Sequence, residues 1–168
     1  DTDIFTNDMG FVAIVENGKL IGYNLLVGGG LGTSHGNKAT YPRLADVIGF
    51  ITREQLVEVG AAVVAIHRDW GDRTDRKHAR IKYVLQEKGV EWFRAELGQR
   101  LGAPLPAAKA FLFRGQGDAF GWFKQLDGNW FLGLFVETGR VKDAEGYKLK
   151  TALRTIAEKF GPTFRLTA

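Results

Sequence analysis

Apolar runs of strand length open the chain and give way to apolar residues at helical spacing. Phe11–Val15 and Leu20–Val27 predict two strands. Between them, Asn17-Gly18 is the dipeptide best suited to a tight hairpin, because both positions tolerate positive φ. The second strand is apolar almost throughout, the pattern of a strand buried on both faces. Thr52-Arg53-Glu54-Gln55 has the form of a capping box, hydroxyl first and amide side chain three residues on. The helix it starts is expected to run through about His67 and to bury Leu56, Val59, Val63 and Ile66. A basic helix is expected from about Asp75 to Glu87, stopped by Gly89. Another is expected from Val90 to about Leu101, with Phe93, Leu97 and Leu101 four residues apart.

Gly102-Ala103-Pro104-Leu105-Pro106 breaks this pattern and is the candidate domain boundary. Beyond it, Ala119–Leu126 and Trp130–Glu137 predict strands around a turn at Asp127-Gly128-Asn129, with a short piece near Arg140-Val141. Leu149, Leu153, Ile156 and Phe160 trace one face of a helix, and Thr163–Thr167 reads as a last strand. Strand-strand-helix-strand is about half of a split β-α-β unit, so this part is expected to pair with chain not present here. The fold class is α+β, in two parts, residues 1–104 and 105–168.

Composition narrows the classes. The chain has 168 residues, 45% hydrophobic and 25% charged, which excludes disorder. No apolar run approaches the ~20 residues of a membrane helix, and nothing near Asp1 has the form of a signal peptide. Cysteine is absent, so thiolate metal sites and disulfides within the chain are excluded; the expected location is cytoplasmic. Asp1 in place of an initiator methionine, and an ending after strand-like Phe164–Leu166, are expected of a piece of a longer protein. Trp92, Phe93, Trp122, Trp130 and Phe131 read as core, without the exposed stacking platforms of a single-strand nucleic-acid binder.

Two stretches carry candidate chemistry. Gly28-Gly29-Gly30 opens a glycine-rich loop that continues through His35, Asn37 and Lys38. It fits neither a P-loop, since Asn37 follows Gly36, nor the dinucleotide fingerprint, since Thr33 stands where a third glycine belongs. The loop either needs glycine only to turn or lets a ligand approach bare backbone. The second stretch, Arg73 to Lys82, packs five Lys/Arg into ten residues. Arg73, Arg76 and Arg80 would form one line along a helix begun near residue 73, either a solvated face or a site for an anion. Lys77 and Lys82 read as solvated. His35, His67 and His78 share no metal-ligand spacing, and His67 reads as a hydrogen-bonded core residue. Together the stretches suit a large, flat polyanion, because arginine binds carboxylates through two parallel hydrogen bonds.

Asn7-Asp8-Met9-Gly10-Phe11-Val12-Ala13, Val27-Gly28-Gly29-Gly30-Leu31, His35-Gly36-Asn37-Lys38, Thr40-Tyr41-Pro42-Arg43 and Arg68-Asp69-Trp70-Gly71-Asp72-Arg73-Thr74-Asp75-Arg76-Lys77 resemble the siroheme-dependent sulfite and nitrite reductases, in particular the assimilatory sulfite reductase hemoproteins. Gly115-Gln116-Gly117-Asp118, Gly121-Trp122, Gly139-Arg140-Val141 and Phe164-Arg165-Leu166-Thr167 resemble that family's second ferredoxin-like module.

The resemblance implies the first half of a siroheme-binding domain, residues 1–104, followed by a ferredoxin-like half-domain, residues 105–168. It implies six-electron reduction of sulfite to sulfide at siroheme coupled to a [4Fe–4S] cluster, with electrons from a flavoprotein subunit or ferredoxin. By the same resemblance Gly28, Gly29, Gly30, His35, Asn37, Lys38 and Arg43 would border the macrocycle, and Arg73, Arg76 and Arg80 would meet its carboxylates. The family's cluster cysteines and substrate lysines have no counterpart here, so the chain alone is expected to be inactive and has no catalytic residue. The rival on the same scaffold is a ferredoxin-dependent nitrite reductase. The rival of another class is a basic nucleic-acid-binding module, which would bind any duplex with steep salt dependence and leave the glycine loop unexplained. No nucleic acid and no membrane are expected as partners.

Overall fold

The computed structural model describes residues 3–113, 115 and 117–166. The chain divides into two compact units, Asp3–Leu112 and Phe113–Ala168. Its fold class is α+β, as the pattern predicts.

In the first unit, β1 (Met9–Glu16), β2 (Lys19–Val27) and β3 (Asp46–Ile51) form an antiparallel sheet in the order β1-β2-β3. Asn17 and Gly18 turn the hairpin at φ 51° and 75°, the positive values the dipeptide predicts. A bulge between Leu25 and Leu26 shifts the β2–β3 register. Helices α1 (Leu56–Trp70), α2 (Ile81–Lys88) and α3 (Val90–Leu101) follow. Leu25 and Val27 of β2 share one core with Val59, Val63, Ile66, Leu85, Phe93 and Leu97. Leu26 shares another with Val12, Ile14 and Ala45, against which Phe5 and Phe111 pack. β2 is therefore buried on both faces, as its continuous apolar run predicts.

Three details depart from expectation. The capping box forms by half: the Gln55 carboxamide accepts from Thr52 N at 3.0 Å, but α1 begins only at Leu56. The basic helix begins at Ile81, not near Asp75. The first unit also runs past the Gly102–Pro106 break to Leu112. There Phe50 N donates to Pro106 O at 3.0 Å, and the buried Asn24 amide exchanges two hydrogen bonds with the Lys109 backbone, at 2.7 and 3.0 Å. A buried amide in a strand is costly unless its donor and acceptor are both paired, and this strap pairs them.

The second unit holds the hairpin β4 (Gly121–Lys124) and β5 (Trp130–Gly133), the short hairpin β6 (Asp143–Ala144) and β7 (Tyr147–Lys148), and α4 (Leu149–Phe160). The Asp143 carboxylate accepts from Thr151 N at 3.0 Å and Thr151 Oγ1 at 2.6 Å, fixing the start of α4. The expected piece near Arg140-Val141 is no strand; the hairpin comes just after it. Residues 163–166 are not a strand, and Thr167 and Gln116 lie outside the described residues. Phe93 is core as expected and Trp92 packs against it, but Trp122, Trp130 and Phe131 are exposed. Among the described residues of this unit none is buried: its two ribbons and one helix bring some rings together, as in the Phe123–Phe131 stack, but enclose no interior.

Candidate anion-binding site

β2 delivers the chain from the buried core directly into Gly28-Gly29-Gly30. Gly28 N donates to Asp8 O, Gly29 N to Asn7 O, and Gly30 exchanges backbone hydrogen bonds with Arg43 at 2.8 and 3.0 Å. The first two glycines thus sit on the chain entering β1, and the third bridges to the chain approaching β3. A Cβ on Gly29 would stand 2.2 Å from Phe5 O and 2.7 Å from Asn7 O. A Cβ on Gly30 would stand 2.5 Å from the Arg80 guanidinium. The glycines are there because backbone and arginine lie where side chains would be.

Arg80 immediately precedes α2. Its Nε and Nη2 donate to the two Asp8 carboxylate oxygens at 3.0 and 2.8 Å, and Nη2 also reaches Gly29 O at 3.2 Å. This side-chain pairing with Asp8 holds the Arg80 pKa above its ordinary value. Arg43 is bound to the protein on every nitrogen: Nε to Gln86 Oε1, Nη1 to Gly28 O and Leu44 O, and Nη2 to Asp46 Oδ2. It braces the loop from beneath.

Lys82 was expected on a solvated face and is instead completely buried. Its ammonium donates to Gly30 O at 3.0 Å, Gly32 O at 2.8 Å and Tyr41 O at 2.5 Å. Burial, then the neighbouring Arg80 charge, lowers its pKa. The only advance signal was its place two residues beyond Arg80 on a helix whose next three residues, Tyr83-Val84-Leu85, are apolar.

Beyond Gly32 the loop closes on itself. Buried Thr40 accepts from Ser34 N at 2.7 Å and donates to Asn37 O at 2.9 Å, while Asn37 Oδ1 accepts from Ala39 N. Asn37 thereby shapes the loop, and His35 and Lys38 are exposed on it.

The expected line of Arg73, Arg76 and Arg80 does not form, because residues 72–80 are not helical. Asp72 Oδ1 accepts from Thr74 N and Asp75 N, and Asp75 Oδ1 from Lys77 N. Short carboxylates compete with helix carbonyls for backbone donors and win here. Arg73 turns back to the end of α1, where Nη2 donates to His67 O at 2.8 Å. Arg76 and Lys77 are exposed. His67 pairs through Nε2 with Ala79 O at 2.6 Å, a structural role as expected, and His78 stacks on Tyr83 with centroids 3.9 Å apart. The fold therefore brings together Gly28–Gly30, Arg43 and Arg80, and adds Lys82.

Asp69, in the same stretch, accepts from Arg68 at 2.6 Å and Arg100 at 2.9 Å, and these hydrogen bonds lower its pKa to about 2. Among the described residues no three His, Asp or Glu are grouped to hold a metal ion, and no helix is long and apolar enough to cross a membrane.

The family described as "Nitrite and sulphite reductase 4Fe-4S domain" matches residues 1–105, and "Nitrite/Sulfite reductase ferredoxin-like half domain" matches residues 123–168. A protein of Myxococcus xanthus named "Sulfite reductase [NADPH] hemoprotein beta-component" is 56% identical over this whole chain, and one of the same name from Enterobacter is 52% identical. The chain spans 30% of the length of each. A solved structure titled "Structure of Mycobacterium tuberculosis NirA protein" superposes with a TM-score of 0.67 at 30% identity, covering 77% of this chain and 23% of that one.

Proposed function

Because the chain belongs to the nitrite and sulphite reductase 4Fe-4S family, we propose that it forms one wall of a siroheme site in an oxidoreductase that reduces sulfite to sulfide. The observation that carries this reading is Arg80 held against the bare backbone of Gly29 and Gly30, next to a buried cation. Siroheme presents a fringe of carboxylates around a flat ring. A guanidinium over glycine suits it, since the ring can approach backbone while a carboxylate meets the arginine. Asp8 already occupies the Nε–Nη2 edge of Arg80, so a ligand carboxylate either adds at Nη1 or displaces Asp8.

In this reading Gly28–Gly30 border the macrocycle and Arg80 meets its carboxylates. Arg43 keeps the loop in place, and the exposed Lys38 and Arg76 are further cations within the matching stretch, where His35 is exposed as well. Asn37 and Arg73 act on backbone. The proposed division is a siroheme-binding half, residues 1–104 with the 105–112 strap packed on it, followed by a ferredoxin-like half to residue 168.

When bound, siroheme supplies the site at which a small oxyanion is reduced by electrons delivered singly. The protein's own part is to neutralise the carboxylates and orient the ring, since anions buried without partners are costly. A [4Fe–4S] cluster finds no donors here, because the chain has no cysteine. Its cysteine ligands would come from the rest of the parent polypeptide, and the electrons from a flavoprotein subunit or ferredoxin.

The test is an absorption spectrum with iron analysis of the chain expressed in cells that make siroheme. A Soret band with the red-shifted bands of an isobacteriochlorin is expected, and R80A should lose most of it. A colourless wild-type chain overturns the claim that this wall holds the ring.

A further inference from the structure

We propose that Lys82 is the positioning residue of this anion site, its ammonium acting as an internal cation that closes the neck of the glycine loop and holds positive charge beneath it. The proposal rests on the anion-site reading above. Three observations carry it.

First, the three acceptors come from both ends of one loop. Gly30 O and Gly32 O lie where the loop leaves β2, and Tyr41 O lies where it returns toward β3. An ammonium has three donors, and all three are used across that neck. Second, the residue is completely buried, and among the described residues it forms no ion pair with a carboxylate. Its charge is balanced by three carbonyl dipoles, by the rings of Tyr83 and Tyr41, whose centroids are 5.0 and 5.9 Å away, and through space by the Asp8 carboxylate that Arg80 already engages. A buried cation without a carboxylate in direct contact, beside an Asp8 shared with Arg80, makes its surroundings attractive to an anion. Third, lysine is the residue suited to three converging carbonyls. A planar guanidinium fork cannot address them all.

Two variants separate shape from charge. K82M removes both, while K82R keeps the charge and loses the three-way geometry. Amide hydrogen exchange on the whole 168-residue chain reads shape. In K82M the amides of Gly30, Ser34, Thr40 and Arg43 should exchange at least about tenfold faster, with hairpin amides such as Val12 and Leu25 unchanged. Binding of uroporphyrin, a tetrapyrrole with a full fringe of carboxylates, reads charge. K82M should bind it about tenfold more weakly, and K82R should recover at least about threefold of that loss.

A purely structural lysine would leave K82R no better than K82M, and that result overturns the electrostatic part. Loop exchange within about twofold of wild type in K82M overturns the positioning part. Should K82M lose hairpin protection too, exchange in K82R decides, with acceleration confined to the loop as the supporting result. If wild type fails to bind uroporphyrin, the anion-site reading falls while the exchange arm still decides whether Lys82 closes the loop.

Discussion

Gly29, Gly30 and Gly32 stand within four residues of one another, yet their surroundings assign them different tolerances. At Gly29 an added Cβ meets two backbone oxygens, which cannot yield without moving the chain into β1. At Gly30 it meets the tip of Arg80, which can swing away. At Gly32 the nearest atom is Arg80 Nη1, at an ordinary 3.7 Å. Alanine should therefore cost about 2–4 kcal/mol at Gly29, about 1–2 at Gly30 and less than about 0.5 at Gly32, a ranking that urea denaturation would measure. Only G30A among these three should also free Asp8 from Arg80. Asp69 gives a second prediction. Its folded-state pKa of about 2 lies below its ordinary 3.8, so the stability it contributes is complete above the ordinary value and is lost as pH falls toward about 2. The stability difference between wild type and D69N should accordingly shrink over that window. The sequence showed that the glycines were unusual, but the reasons, the chain before β1 at Gly29 and an arginine about fifty residues away at Gly30, required the fold.

At the scale of elements, what could be read in advance was what neighbours in sequence decide. The Asn17-Gly18 hairpin and α3 are set by local turn chemistry and by spacing, and both stand as predicted. The basic helix starts later than charge and spacing predict, because side-chain acceptors intervene. Asp72 and Asp75 capture the amides that a helix would need. D72A should make the amides of Thr74 and Asp75 exchange faster while those in Ile81–Lys88 keep their protection. Acceleration throughout α2 would mean that the turn and the helix form one cooperative unit. The burial of Lys82 is illegible in the sequence for a related reason. A charged residue is rarely buried, and nothing local announces three carbonyls brought from 41 to 52 residues away.

At the scale of the whole molecule the two units differ in how much they bury. The first encloses Phe93, Leu97, Ile66 and Leu25 completely, whereas Trp122, Trp130, Phe131 and Phe160 of the second remain exposed. Amides in β4, β5 and α4 should exchange at least about a hundredfold faster than those in β1 and β2, and a hydrophobic dye should bind the second unit in the folded chain. The first hairpin and the helix of this part were legible from their spacing, but the closing strand does not form over residues 163–166, and the uncovered aromatics were not legible, since hydrophobicity reveals what seeks burial but not whether a cover is present. The strap from Leu105 to Leu112 has a mechanical consequence. Polypeptide leaving the first unit is tied to β2 through Asn24 and to β3 through Phe50 before it continues. Tension applied along the later part of the chain would therefore load the packed Phe111 and then the Asn24–Lys109 pair, and the failure of these attachments, rather than the stretching of a slack linker, would set the force at which the first unit begins to yield.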